Sequence, residues 1–471
     1  MDSRHKIKNS SILEIIILFI LLGIYFIAKF PQNYDKNITH GYMWLLISYY
    51  LIGSSFICFM YIFKFDLFDL IVIFFVFDFL CLVIAPISFI ILDKTDAHGV
   101  YIMDGCVRGT IIHIISYFGI MLGWITTRIK CSDKKNKLQN NINMNTRYVV
   151  VAFILWIIFF SISLIYHFKS GKSMLYVLTL GIAGNGIDDS VFSNSSLKFL
   201  INVSYSLIPL WLLIMYFSKN TLLKVITGFL SFCIYMIGGH RFIIVVMAIA
   251  LILSFYLKED KRPSKKLIII ALIGFIIFSV ILGYVRGGIR SGNGFNLSGI
   301  SFESFLEVLE SNFDIYKTYY GVVADIPKNY LHTYGTAIFL DPFIYVIPRA
   351  IWHSKPAVEN MTLLETMINC VGSNVIIGNG MSTVWLTEIY IDFGYIGAFT
   401  IPFIIGQLMK KIKEVCCYRR KSIFSIFIYS IIYGTIMQIV TRGYTAMNVW
   451  MLFFLIYPIP LVLLLSKKLK K

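Results

Sequence analysis

A polytopic all-α membrane protein is the fold class this sequence predicts, and three observations predict it. Hydrophobic residues make up 58% of the chain, aromatic residues 16% and charged residues only 14%, for a mean hydropathy of +0.77. The apolar residues fall in runs of about 20, the length a helix needs to cross a hydrocarbon layer about 30 Å thick. Lys and Arg gather in the polar segments between alternate runs. Lipid offers the backbone no hydrogen-bond partners, so each run must satisfy its own N–H and C=O groups, and that makes it a helix.

Windows of this length place twelve spans, at residues 12–30, 42–63, 67–92, 107–127, 148–168, 199–217, 221–238, 241–257, 267–285, 383–409, 422–440 and 446–466. The opening run, SILEIIILFILLGIYFIAKF, reads as a span and not as a cleaved leader, since no small-x-small site follows it. The two spans around 221–257 are short and suit tilted or partly re-entrant helices. Orientation follows from the cations, which accumulate in short cytoplasmic segments. With the N-terminus inside, 27 of the 42 Lys and Arg fall inside and 15 outside, so both termini are expected in the cytoplasm. RIKCSDKKNK, KEDKRPSKK, KKIKEVCCYRRK and SKKLKK carry most of that bias and read as topology anchors against anionic lipid. The net charge of +17 is then a property of a protein at a bilayer surface, and nucleic acid is not an expected partner.

One membrane domain, 1–471, is expected, interrupted by a large extracytoplasmic loop, 286–382, between the ninth and tenth spans. In it SFESFLEVLESNFDIYKTYY sets Phe302, Phe305, Leu306 and Leu309 at helical spacing against Glu303, Glu307 and Glu310, the pattern of an amphipathic helix lying on the membrane or the bundle. TYGTAIFLDPFIYVIPRAIWHSKP is apolar but too short to span, and Pro342 and Pro348 break it, which fits a re-entrant or interfacial segment. No internal repeat relates the spans before the loop to those after it, unlike inverted-repeat transporters. The eight cysteines show no C-x-x-C; only Cys106 and Cys370 fall near the outer face, and a bridge between them is not the expected state.

The arginines are the most informative charges. LGYVRGGIRSGNG ends the ninth span at Arg286, with Arg290 four residues on; Arg241 in IGGHRFI, Arg349 in IPRAIWHSKP and Arg442 in VTRGYT complete a set of five on the expected outer side. Arginine keeps its charge and its planar fork matches phosphate oxygens, so five of them where other cations are sparse point to an anionic ligand. Taken singly, each reads equally well as a side chain reaching lipid head groups or pairing with Asp or Glu. Gly238–Gly239 and Gly287–Gly288 remove side chains beside Arg241 and Arg286, which lets backbone approach a ligand or only makes a turn.

No P-loop, Rossmann glycine pattern, H-E-x-x-H or G-x-S-x-G occurs, and no metal site is expected. The titratable candidates on the outer half are His240, His353, Glu388, Asp392, Asp341 and the pair Asp188–Asp189. Glu388 and Asp392, in STVWLTEIYIDFGYIGAF, are four apart and share one helix face. A carboxylate inside a span is costly unless paired, so these two are either functional or partners of the arginines. His240 and His353 read first as structural or surface residues, and Asp188–Asp189 as a solvated pair.

In their order along the chain these motifs resemble the bacterial O-antigen and capsule oligosaccharide repeat-unit polymerases, the Wzy class. GGHR opens a span, the next span ends in RGGIR, the outer loop carries IPRAIWHSKP, and GNGMSTVWLTEIYIDFGYIGAF follows. The resemblance covers most of the chain and rests on that order. It implies a glycosyltransferase without cofactor, moving a growing glycan from an undecaprenyl-diphosphate carrier to a new lipid-linked repeat unit on the outer side of the inner membrane, beside a chain-length regulator protein. In that chemistry Arg241, Arg286, Arg290 and Arg442 hold diphosphates, with Arg286 stabilising the leaving charge. Arg349 adds a phosphate or sugar contact, and His240 and Asp392 are further substrate contacts. Glu388 leads as the base for the acceptor hydroxyl, with His353 behind it. WHSKP departs from the family pattern where proline is expected, so the family lends His353 no role. Trp352 and Trp385 either stack on sugars or anchor the interface.

Two other readings stay open. A glycan ligase would use the same donor and arginines and differ only in its acceptor. A transporter of lipid-linked oligosaccharide would need a polar path through the inner halves of the spans, which are nearly free of charge.

Overall fold

Helices occupy eleven of the twelve apolar windows, and the remaining window, 267–285, lies outside the described residues. The computed structural model describes residues 9–31, 36–63, 65–97, 100–129, 146–168, 198–237, 241–259, 261, 263–264, 306–307, 310, 313–347, 351–356, 362–372, 383–419 and 422–468. Among the described residues seven helices are long and apolar enough to cross a membrane: Lys36–Phe63, Leu70–Ile91, Met103–Thr126, Thr146–Ile165, Trp385–Tyr418, Ile423–Thr441 and Thr445–Lys467. Shorter apolar helices fill four more windows, at Glu14–Ala28, Asn202–Phe217, Thr221–Met236 and Phe242–Lys258. Strand structure among the described residues is one antiparallel pair, Asp96–Ala97 with Val100–Tyr101.

The helices bury two hydrophobic clusters, and Ile423–Thr441 belongs to both. Its residues Tyr429, Tyr433, Met437 and Val440 fall three or four apart and enter one cluster, with Tyr42, Tyr49, Trp124 and Tyr390. Ile423, Phe427 and Ile431 form the opposite stripe and enter the other, with Trp156, Tyr205, Trp211 and Met451. A helix apolar on every side can be buried all round. The turn that ends it therefore sits at the seam between the two halves of the bundle.

Cys106–Thr126 and Trp385–Lys413 pack closely. A Cβ on Gly406 would stand 2.2 Å from the Ile120 carbonyl oxygen, so only glycine allows the approach. Ser116 Oγ donates across the interface to the Ala398 carbonyl at 2.7 Å. Gly406→Leu is expected to push the helices apart and lower the yield of folded protein, whereas Gly434→Ala, where a Cβ meets its nearest atom at 3.2 Å, has a smaller effect. Detergent-extracted yield and melting temperature of the two variants check this.

The lysines of KKIKEVCCYRRK do not all face lipid. Lys413 is buried and pairs with Asp69, with Asp66 at 3.8 Å, and Lys410 Nζ donates to the Trp124 carbonyl at 2.7 Å. The reason is local: Cys106–Thr126 ends there, its last carbonyls lack helical partners, and a lysine on the adjacent helix supplies one. Cys106 and Cys370 are buried free thiols.

Within the predicted amphipathic stretch Leu306 is buried and Glu307 exposed, as the spacing requires; Phe302, Glu303, Phe305 and Leu309 lie outside the described residues. Glu310 departs from the pattern. It is 1% exposed and receives Lys94 Nζ at 2.9 Å and Lys317 Nζ at 2.6 Å. Burial alone would raise its carboxyl, but the two ammonium groups outweigh burial and hold it below the ordinary glutamate value. A depressed carboxyl contributes stability above its unfolded value of about 4.3, and that stability is lost as pH falls through the folded value. Melting curves taken from about pH 6 to pH 3 are expected to show a loss of stability on the acid side that Glu310→Gln lacks.

Further on, Thr336–Val346 is a short apolar helix. Phe339, Leu340 and Phe343 are exposed on it, while the Pro342 carbonyl accepts a hydrogen bond from Trp450 Nε1 at 3.2 Å.

Candidate functional site

The turn Arg442–Tyr444, between Ile423–Thr441 and Thr445–Ile456, rests directly on the start of Trp385–Lys413. Gly443 N–H donates to the Thr383 carbonyl at 2.7 Å, and a Cβ on Gly443 would lie 2.3 Å from the Trp385 nitrogen. The backbone on either side is fixed as well: Arg442 N–H donates to Gln438 O at 2.7 Å, and Asn448 Nδ2 donates to Arg442 O at 2.6 Å. All of these bonds use main-chain atoms of Arg442 and Gly443, and none of them engages the Arg442 side chain.

That side chain is half-buried at the seam, its guanidinium carbon 5.0 Å from the Phe242 ring centroid. Among the described residues no carboxylate forms an ion pair with it, and the Asp314 carboxylate acts on it only from beyond ion-pair distance. Glu388, the nearest candidate by sequence expectation, is committed elsewhere. Both its oxygens accept from Thr445 N–H at 3.0 Å, and Oε2 also accepts from the Thr445 hydroxyl. The carboxylate thus holds the first turn of Thr445–Ile456, which its N-cap residue Tyr444 does not cap with its own side chain.

Two more carboxylates do the same for other elements. Asp392, buried one turn after Glu388, accepts from Ala337 N–H at 3.1 Å, Ile338 N–H at 2.9 Å and the Thr333 hydroxyl. Asp341, also buried, accepts from Thr362 N–H at 3.3 Å and Leu363 N–H at 3.0 Å and so holds the start of Thr362–Val371. Each acid meets unpaired N–H groups at a helix start, where negative charge is favoured. Asp392 thus fastens residues 333–338 to Trp385–Lys413, Asp341 ties Asp341–Val346 to Thr362–Val371, and Glu388 holds the helix that follows the Arg442 turn.

Among the other sequence candidates, Arg241 is the first residue of Arg241–Lys258, so the backbone that carries it adjoins Phe242 under the Arg442 guanidinium. His353 is exposed, and the neighbouring Trp352 donates its indole N–H to Ser354 Oγ at 3.1 Å. His240, Arg286, Arg290 and Arg349 lie outside the described residues. Of the candidates, then, the structure brings Arg442, Glu388, Asp392, Trp385 and the helix start at Arg241 to one region. Among the described residues no group of three His, Cys, Asp or Glu side chains forms a metal site.

Sequence reading passed over Asp78 and His113. Asp78 Oδ2 meets His113 Nε2 at 2.7 Å, and Asp78 Oδ1 accepts from Trp385 Nε1 at 2.9 Å. The signal was present, since both residues interrupt apolar runs, and an ionisable residue within a span calls for a partner.

The model of the family described as O-antigen polysaccharide polymerase Wzy matches residues 10–470. The chain belongs to this family. No curated protein and no solved structure matches it. The resemblance read from the order of the motifs thus extends over nearly the whole chain. Members of the family are polytopic membrane proteins that join lipid-linked oligosaccharide repeat units.

Proposed function

We propose that this protein polymerises undecaprenyl-diphosphate-linked repeat units into O-antigen, capsule or exopolysaccharide on the outer side of the bacterial inner membrane. The observation that carries the reading is the Arg442 guanidinium, held at the seam by its own main chain and with no carboxylate in direct ion-pair contact among the described residues. The acceptor sugar hydroxyl attacks the anomeric carbon of the donor glycan, a C–O bond forms, the bond to the diphosphate oxygen breaks, and the lipid diphosphate leaves. Arg442, with Arg241, Arg286 and Arg290, neutralises the charge that builds on the departing oxygen without recourse to a metal. Arg349 and His240 contact substrate. Glu388, or His353 behind it, takes the hydroxyl proton, and Asp392 holds the surrounding segment. This reading includes twelve spans, both termini cytoplasmic, and 286–382 as an outer loop that also faces a chain-length regulator.

The test is a deletion strain complemented with wild type or Arg286→Ala, with surface glycan length read on a gel and membrane expression verified. A ladder that collapses to single repeat units on deletion, and returns with wild type but not with Arg286→Ala, supports the reading. Normal glycan length with lost attachment to the final acceptor would instead identify a ligase, and absence of repeat units at the surface a transporter.

A further inference from the structure

Asp78 and His113 lie deep in the bundle, 2% and 1% exposed, and the reaction as described uses neither. Asp78 Oδ2 and His113 Nε2 share one hydrogen, and in the arrangement with Asp78 as carboxylate the imidazole N–H is the donor. His113 Nδ1 is buried and makes no hydrogen bond among the described residues. Carrying such a pair into an apolar bundle is more costly than filling the same volume with apolar side chains, and an unsatisfied ring nitrogen adds to the cost. The cluster is therefore a poor device for stability. It is a good device for orientation, because each carboxylate oxygen fixes a different donor. The donor on Oδ1 is the Trp385 indole, whose ring also stands edge-on to Phe74 with centroids 5.2 Å apart. The main chain of Trp385 in turn is the surface that Gly443 touches, one residue from Arg442.

We propose that Asp78 and His113 are positioning residues for polymerisation: they lock Trp385, and through the Trp385–Gly443 contact they keep the Arg442 guanidinium in register with the leaving diphosphate. The proposal rests on the Arg442 reading above. A guanidinium that acts on developing charge must be placed closely, and a displacement of about 1 Å can cost about 100-fold in rate. The effect belongs to kcat more than to KM, since the charge being stabilised builds up in the transition state.

The experiment uses the full chain in proteoliposomes, with lipid-linked repeat units extracted from the deletion strain as substrate. Asp78→Asn, His113→Phe and Trp385→Phe are each expected to lower kcat roughly 10- to 100-fold, with KM moving less than about threefold. His113→Gln, which keeps an N–H donor at similar reach, is expected to restore most of the loss. Trp156→Phe, which removes a buried indole hydrogen bond to Ser231 in the other cluster, serves as control and leaves kcat near wild type. In an Arg442→Lys background Asp78→Asn is expected to add little, because both act through one group. The proposal is overturned if the Asp78 and His113 variants lose activity only in step with folded protein, or if their losses multiply in full with that of Arg442→Lys. Wild-type rates for Arg442→Ala would overturn the Arg442 reading as well, whereas an inactive Arg442→Ala beside a fully active Asp78→Asn overturns this proposal alone.

Discussion

Arg442→Ala is expected to slow polymerisation by about 100- to 1,000-fold, the range seen when one donor to developing charge is removed from a preorganised site. The fold should survive the change. Every hydrogen bond described for residue 442 runs through its backbone, and the side chain lies over Phe242 at cation–π distance, a contact whose loss costs about 0.5–2 kcal/mol. Arg442→Lys separates charge from geometry. Lysine restores the positive charge but offers a compact ammonium in place of a planar fork, so it is expected to recover only a small part of the rate. If the anion at this position were met by charge alone, the lysine variant would polymerise almost as well as wild type. Initial rates of polymer formation in membranes with matched protein levels give the answer. Full activity of both variants would leave Arg442 as a side chain that merely covers an aromatic ring.

The sequence made the helices legible and the acids' partners illegible, for physical reasons. A run of about 20 apolar residues has few alternatives to a helix in a membrane, so the windows 67–92 and 422–440 anticipate the helices Leu70–Ile91 and Ile423–Thr441 from hydropathy alone. Glu388 and Asp392 stood out because a carboxylate in an apolar helix needs compensation. What compensates them did not stand out. Glu388 is satisfied by Thr445, 57 positions away, and Asp392 by the backbone of Ala337 and Ile338. Backbone N–H groups are the same at every residue, so pairing to them leaves no mark on the sequence. The same holds for Lys410, which meets the carbonyl of Trp124, and for Glu310, which follows Glu303 and Glu307 at helical spacing yet turns inward to two lysines. Asp78 escaped for the opposite reason: the apolar run around it, with a mean hydropathy of 2.9, is so strong that one polar residue barely lowers it.

Glu388 is the residue where holding a helix and accepting a proton compete, and two substitutions separate them. A carboxylate offers about four lone-pair directions, and Thr445 takes three of them through its N–H and hydroxyl. One direction remains to face an acceptor hydroxyl. Thr445→Val removes the hydroxyl bond but leaves the carboxylate and the N–H bond, so it is expected to cost about 0.5–1.5 kcal/mol of stability and little rate. Glu388→Gln keeps one acceptor oxygen but turns an amide N–H toward the Thr445 N–H, so its stability loss should be larger, about 1–3 kcal/mol. It also replaces the basic group. If Glu388 is the base, the rate falls by a further 100- to 10,000-fold, far beyond anything the lost folded fraction explains. Melting temperature and initial rate measured on both variants place the residue: a large rate loss confined to Glu388→Gln marks it as the base, while rate losses that track stability in both leave it as the group that fastens the last helix and moves the search for the base to His353.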